Sequence, residues 1–175
     1  EVNGSIVKLL NTMQVKAVGL SGKDGQLVIA KKRYHEVVEQ GKTRQVDIGQ
    51  VGEVDTIQPD LVHHLLEKDY LPVITCIASD REGNDFNING DLFAGGLAGA
   101  LNADLFILLT DVDGRYEDIK VPDSLLKQLN AEHIAYYKNS GVIAGGMLPK
   151  TEACELALRQ GAAKAMIMHG TKPEL

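Results

Sequence analysis

Short, continuously apolar runs alternate along this chain with segments that repeat at the helical period, and that alternation restricts the fold more than any other feature. The runs are VKAVGL (15–20), LPVITCI (71–77), ADLFILLT (103–110) and AKAMIMHG (163–170). A strand that is apolar on both faces must be covered on both faces, which is the condition of a parallel sheet between layers of helices. Helical periodicity fills the intervals. Residues 2–13 put Val2, Ile6, Leu9, Leu10 and Met13 on one face, a helical period. Pro59 sits at the expected first position of a helix over 59–68, and further helices are expected from about Asp91 to Leu101, in two pieces within 123–140, and over 148–160. LVIAKKR (27–33) and TRQVDIGQV (43–51) read as a hairpin around Gln40-Gly41-Lys42. The expected fold is α/β, a three-layer sandwich with a mostly parallel central sheet plus a β-hairpin. No repeat or linker interrupts it, so residues 1–175 are expected to be a single domain.

Composition narrows the partners. A chain of 175 residues buries roughly 70 % of its unfolded surface on folding, enough for a core without staples. The net charge of −6 gives no general field for nucleic acid or anionic lipid. A bound phosphate would have to be attracted by local N–H groups and one or two placed cations. Cys76 and Cys154 are far apart and form no paired motif, so neither a disulfide nor a zinc framework is expected, and a reducing, cytoplasmic location is. No apolar run approaches the ~20 residues that span a bilayer. Asn3-Gly4-Ser5 matches a glycosylation sequon, but no secretion signal accompanies it. The first residue is not Met and the chain opens directly into a helix pattern, so it is expected to be excised from a longer one.

In a parallel α/β sheet, ligands sit beyond the carboxyl ends of the strands. The loops that leave strand ends here are residues 21–25, 78–91 and 110–115. The first, within Gly19-Leu-Ser-Gly22-Lys-Asp-Gly25, has neither the P-loop pattern nor the dinucleotide spacing. In the second, Asp85-Phe-Asn87-Ile-Asn89-Gly90 imitates half of a calcium loop. Its twelfth position is Gly96, where a bidentate Glu is required, so calcium is not expected. The loop reads instead as an approach to a helix N-terminus, with Asp91 favoured there by the dipole and the Asn amides free for ligand contacts. Met147-Leu-Pro149-Lys150 opens another helix, and its dipole disfavours a lysine in the first turn. Two readings stand for Lys150: it acts with the backbone N–H groups on a bound phosphate, or it is an ordinary solvated lysine. His63 and His64 are adjacent and cannot share a helix face, and His35, His133 and His169 are isolated. Neither a metal site nor an acyl-transfer triad is expected.

Taken in order, GLSGKDG (19–25), VDIGQVGEV (46–54), YLPVI (70–74), NINGD (87–91), LLTDVDG (108–114) and GGMLPK (145–150) resemble the acetylglutamate kinases of the amino-acid kinase superfamily across essentially the whole chain. The resemblance implies transfer of the γ-phosphoryl group of ATP, carried with magnesium, to the side-chain carboxylate of N-acetyl-glutamate. The products would be N-acetyl-glutamyl 5-phosphate and ADP, in arginine biosynthesis. It implies that Lys150 stabilises charge on the transferring phosphoryl, that Asp91 orients the catalytic lysines and that Asn87 holds the acetylglutamate. Thr110, Asp111, Val112, Asp113, Gly114 and Arg115, with Val142, Ile143 and Ala144, would border the nucleotide. No protein-bound metal is implied, and the assembly would be a homodimer or a higher homo-oligomer. The resemblance also implies pieces that this stretch lacks: an opening strand with a Lys-x-Gly-Gly turn, a second Gly-rich turn with a substrate-gripping Arg, and a last strand with its nucleotide-side tail. The domain is therefore expected to be incomplete at both ends. Gly90 stands where the family usually has Ala. Two alternatives accompany this reading: a kinase of carrier-bound aminoadipate or another amino-acid kinase, and a non-catalytic relative that senses a nucleotide or metabolite.

Overall fold

The computed structural model describes residues 1–39, 41–110 and 147–170. The chain divides into two compact units, Glu1–Phe93 and Ala94–Leu175.

In the first unit, β1 (Ala17–Ser21) and β4 (Leu71–Thr75) pair in parallel, Ala17 opposite Leu71 and Ser21 opposite Thr75. Helix α1 (Val2–Thr12) lies against this pair, but not on the face its periodicity suggests. Asn3 donates from Nδ2 to the Val73 carbonyl at 2.6 Å, and Asn11 bonds both the N–H (3.0 Å) and the carbonyl (3.2 Å) of Ala17. Val7 and Leu10 join Asn3 on the half-buried side. Val2, Ile6, Leu9 and Met13 point outward, 74, 42, 61 and 66 % exposed. The apolar stripe of the helix is thus mostly its exposed side. Leu10 alone of that set is turned toward the sheet. The physical reason is that two asparagines satisfy backbone groups beside the strands, and that Gly19 gives the Asn3 amide a close seat which a Cβ would fill.

The expected hairpin is present and longer than its pattern: β2 (Val28–Glu39) and β3 (Lys42–Ile57) run antiparallel, from Val28 opposite Ile57 to Glu39 opposite Lys42. Its base belongs to a closed four-stranded barrel that the sequence did not suggest. β5 (Ile77–Ser79) and β6 (Asp85–Ile88) are antiparallel to each other; β6 joins β3 in parallel at Val51–Asn87 and Gly52–Ile88, and β5 joins β2 at Ser79–Ile29. The hairpin register slips between Lys32–Gly52 and Tyr34–Asp47. Gly49, at φ 82°, turns β3 out of the ladder there, and the next residues reach β6. Leu27, Val28, Ala30, Ala78, Phe86 and Ile88 are among the buried side chains of this unit's core. The apolar run 71–77 is therefore not one strand. It breaks at Cys76, where the chain leaves β1 for β6, and the Cys76 carbonyl accepts the Ile88 N–H at 2.9 Å. Helix α2 (Asp60–Glu67) buries Val62, and Pro59 is its N-cap rather than its first residue.

Helix α3 runs over Gly90–Ala100. In the second unit β7 (Phe106–Thr110) and β8 (Ala165–His169) are parallel, Phe106 opposite Ala165 and Thr110 opposite His169. Helix α4 (Met147–Gln160) packs on them and on α3 through small residues. A Cβ on Gly99 would press into the Gln160 side chain and stand 3.2 Å from the Ala157 carbonyl oxygen. Leu97, Ala98, Phe106, Leu108, Ala153, Cys154 and Ala157 are buried around this contact. No helix among the described residues is long and apolar enough to cross a membrane. The helices expected within 123–140 and the turn 141–146 lie outside the described residues.

Candidate functional site

The junction of β6 and α3 is built by strand alternation followed by a cap. Phe86 and Ile88 are buried, so Asp85 and Asn87 are exposed on the opposite face. Asn89 then caps α3: its Oδ1 accepts the Leu92 N–H at 3.1 Å and its carbonyl the Phe93 N–H at 2.9 Å. This corrects the expectation that both asparagine amides are free, because the oxygen of Asn89 is committed to the helix. Asn87 is different. Its Oδ1 lies 3.9 Å from the Cys76 sulfur, and among the described residues nothing accepts from its Nδ2. Asp91 is the second residue of α3, where the dipole favours its charge. Residues 85 to 88 are extended strand, and successive side chains of a strand diverge to opposite faces, which is incompatible with the sharp coil of a calcium loop.

The Gly-rich turn after β1 closes on itself. Asp24 Oδ2 accepts both the Ser21 N–H (2.6 Å) and the Ser21 hydroxyl (2.8 Å), and these bonds hold its carboxyl below the usual range. Lys23, the cation of the turn, reaches Asp85 at 2.6 Å, and the Ser79 hydroxyl donates to the other oxygen of Asp85 at 2.6 Å. The Lys23 hydrogen bond and then the Ser79 one lower the Asp85 pKa, while the same Asp85 contact raises that of Lys23. The Ser21 and Gly22 N–H groups and the Lys23 ammonium, which could attract a phosphate, are engaged within the protein. The sequence pattern set Ser79 and Asp85 in one strand-end loop but did not mark their pairing with Lys23, which lies 62 residues from Asp85 along the chain.

Between β5 and β6 the turn Asp80–Asn84 is fixed by Asp80, whose carboxylate accepts the N–H groups of Glu82 and Asn84 at 3.0 and 2.8 Å and the Asn84 amide at 2.8 Å. These bonds, the Asn84 side chain foremost, lower the Asp80 pKa. Arg81 reaches Asp55 on β3 at 3.8 Å.

In the second unit Thr110 ends β7 and is buried, and Lys150 stands half-buried in the first turn of α4 beside the fully buried Thr151. Asp111, Val112, Asp113, Gly114, Arg115, Val142, Ile143 and Ala144 lie outside the described residues. Among the described residues no three His, Cys, Asp or Glu side chains converge as a set for a metal ion.

Known proteins divide into relatives by sequence and relatives by fold. Acetylglutamate kinase of Methanococcus aeolicus is 44 % identical over 173 residues, which is 99 % of this chain and 59 % of that protein. Acetylglutamate kinase of Desulfitobacterium hafniense is 43 % identical over 174 residues, 99 % of this chain and 58 % of that one. The chain thus spans a little under three fifths of the length of these curated relatives. Among solved structures, carbamate kinase from Giardia lamblia bound to AMP-PNP superposes with a TM-score of 0.64 at 18 % identity, covering 95 % of this chain and 65 % of the other. N-acetylglutamate synthase from Neisseria gonorrhoeae, complexed with coenzyme A and N-acetyl-glutamate, gives a TM-score of 0.68 at 19 % identity over 95 % of this chain and 38 % of the other. These two likenesses carry the fold. The family model "Amino acid kinase family" matches residues 1–169, and the chain therefore belongs to the amino acid kinase family.

Proposed function

We propose that this chain forms part of a kinase that transfers the γ-phosphoryl group of ATP to the side-chain carboxylate of N-acetyl-glutamate, giving N-acetyl-glutamyl 5-phosphate and ADP for arginine biosynthesis in the cytoplasm. The observation that carries the reading is the 43–45 % identity to acetylglutamate kinases sustained over 99 % of the chain. The described residues suit the roles it assigns. Phosphoryl transfer asks a protein to position groups and to neutralise charge more than to supply covalent chemistry. Asn87 offers an amide Nδ2 to an acceptor such as a substrate carbonyl or carboxylate. Asp91 and Lys150 each stand in the first turn of a helix. A cation at a helix N-terminus, where it is disfavoured alone, is stabilised when a phosphate shares the place. Lys150 in this reading neutralises the transferring phosphoryl, and Asp91 keeps the catalytic lysines in register. Thr110 and residues 111–115 and 142–144 border the nucleotide. Magnesium arrives on the phosphates of ATP, since that ion is held through substrate phosphates more than by dedicated protein cages.

The enzyme acts in this reading as a homodimer or higher homo-oligomer. The outward stripe of α1 supports a second copy as the partner: Val2, Ile6, Leu9 and Met13 repeat at intervals of 4, 3 and 4, the spacing by which two like helices interlock.

ADP release by the full-length enzyme, with N-acetyl-glutamate, aspartate and carrier-bound aminoadipate offered separately, tests the reaction. N-acetyl-glutamate is expected to give the highest kcat/KM. A higher value with either competitor overturns the substrate assignment.

A further inference from the structure

The pair Lys23–Asp85 joins two different sheets. Lys23 belongs to the turn that leaves β1, in the parallel pair with β4, whereas Asp85 opens β6, in the closed barrel. Asp85 uses both carboxylate oxygens at once, Oδ2 for Lys23 and Oδ1 for the Ser79 hydroxyl, each at 2.6 Å. The turn, β5 and β6 are thereby tied at one point. Asn87 follows two residues later on the same face of β6.

β6 is four residues long; it meets β3 at Val51–Asn87 and Gly52–Ile88 and β5 at Ile77–Asn87, Ala78–Phe86 and Ser79–Asp85. These ladders hold β6 within the barrel, and the Lys23–Asp85 bond ties the Asp85 end of the β5–β6 pair to the turn after β1. Both partners are about half exposed (side chains 45 and 46 %), and an exposed pair contributes little to global stability. Its geometric effect is a separate matter, because a displacement of about 1 Å at a binding group can cost far more than the bond that prevented it.

We infer that Lys23, through Asp85 and Ser79, is a positioning residue for the acceptor side of the site: it anchors β6 so that the Asn87 amide stands ready for an anionic, carbonyl-bearing substrate. This rests on the proposed role of Asn87. Lys23 itself touches neither substrate nor nucleotide in this account. Its ammonium is held by Asp85, and the turn that carries it is closed by the Asp24–Ser21 bonds.

The test compares wild type, Lys23→Met and Lys23→Arg in the full-length enzyme. In Lys23→Met, amide exchange at Phe86, Asn87 and Ile88 is expected to quicken about tenfold as the strand end opens locally. KM and Kd for N-acetyl-glutamate are expected to rise about three- to tenfold, while kcat and the KM for ATP stay within about twofold. Lys23→Arg keeps the charge and a donor and should restore both readouts. A purely structural lysine would not divide the two substrates in this way. If wild type fails to bind N-acetyl-glutamate, the proposed function falls and this inference with it. If wild type binds and Lys23→Met binds equally well, the inference alone is overturned. Quickened exchange without weaker binding overturns it too, as does failure of Lys23→Arg to restore binding.

Discussion

Gly95 on α3 faces the backbone of Ala153 on α4 with no room for a side chain between them: a Cβ on Gly95 would stand 3.0 Å from the Ala153 carbonyl carbon and Cα, and closer still to its oxygen. Backbone cannot swing aside as a long side chain can, so the helices would have to move apart. Gly95→Ala is expected to destabilise the protein by about 1–3 kcal/mol, the usual cost of overpacking a core. Gly4 is the control. It also lies inside a helix, yet nothing stands within 4 Å of its Cβ position. Gly4→Ala should stabilise by roughly 0.5–1 kcal/mol through backbone entropy. Urea unfolding of both variants measures the two opposite signs, and a neutral Gly95→Ala would show that the helix contact yields.

The Lys23–Asp85 pair has a readable titration. The folded-state pKa of Asp85 lies below its ordinary 3.8 because the Lys23 and Ser79 hydrogen bonds favour the carboxylate. A depressed carboxylate contributes fully above its unfolded pKa, and its contribution fades as pH falls through the lower folded value. The clamp is therefore intact at neutral pH and released in acid. Carboxyl carbon NMR should place the Asp85 midpoint below 3.8 in wild type. In Lys23→Met the midpoint should rise, because the largest cause has been removed. An unchanged midpoint would mean that the pair does not persist in solution.

The outward stripe of α1 makes a claim about assembly. Leu9 is central to it and 61 % exposed, so Leu9→Glu leaves the fold of one chain untouched while placing a charge where two apolar helices would meet. Multi-angle light scattering on the full-length protein should show the variant at a smaller mass than wild type. Equal masses would assign the oligomer to another surface.

The sequence made legible those elements whose pattern matches their burial. The apolar runs at 103–110 and 163–170 became β7 and β8 with small changes at their ends, and α4 begins within a residue of its expected start. α1 shows where periodicity misleads. Its apolar residues do share a face, but Asn3 and Asn11 hold the opposite face to the sheet by bonding backbone groups at Val73 and Ala17. Hydropathy has no term for such bonds. The barrel was hidden for a related reason. β6 carries the period-two alternation of a strand in only four residues, Asp85 to Ile88, and the flanking Asn, Gly and Asp read more strongly as a turn. As candidates, Asn87, Asp91 and Lys150 could be named from short motifs. The Lys23–Asp85–Ser79 network could not, since it exists only once β1, β5 and β6 have met.

Lys150 is the residue on which the phosphoryl-transfer reading depends most directly. Lys150→Ala in the full-length enzyme is expected to lower kcat by about 10²-fold or more, the scale set by removing one preorganised charge from a transition state. Far-UV circular dichroism should be unchanged, because alanine is an excellent helix former and α4 keeps its buried Ala153, Cys154 and Ala157. A kcat within about threefold of wild type would leave Lys150 as an ordinary surface lysine, outside the scale expected of a catalytic cation.

Asn87 and Asp91 sit four residues apart at one junction and are assigned different work, which steady-state kinetics can separate. Asn87 faces outward from β6 with a neutral amide. Asn87→Asp keeps the size of the side chain and sets a carboxylate against an anionic substrate. Like charges a few ångströms apart in a partly desolvated site repel strongly, so KM for N-acetyl-glutamate is expected to rise on the order of 10²-fold. KM for ATP should move little. Asp91→Asn removes the charge to which the proposed function assigns the ordering of the catalytic lysines, and leaves an amide of nearly the same shape in the first turn of α3. An interaction needed only in the transition state lowers kcat when it is lost, and so this variant should lose kcat while its N-acetyl-glutamate KM changes less. Varying each substrate in turn on both variants gives four KM values and two kcat values, and the pattern has a definite inverse. If Asn87→Asp raises the KM for ATP and spares N-acetyl-glutamate, β6 faces the nucleotide, and the acceptor must bind elsewhere.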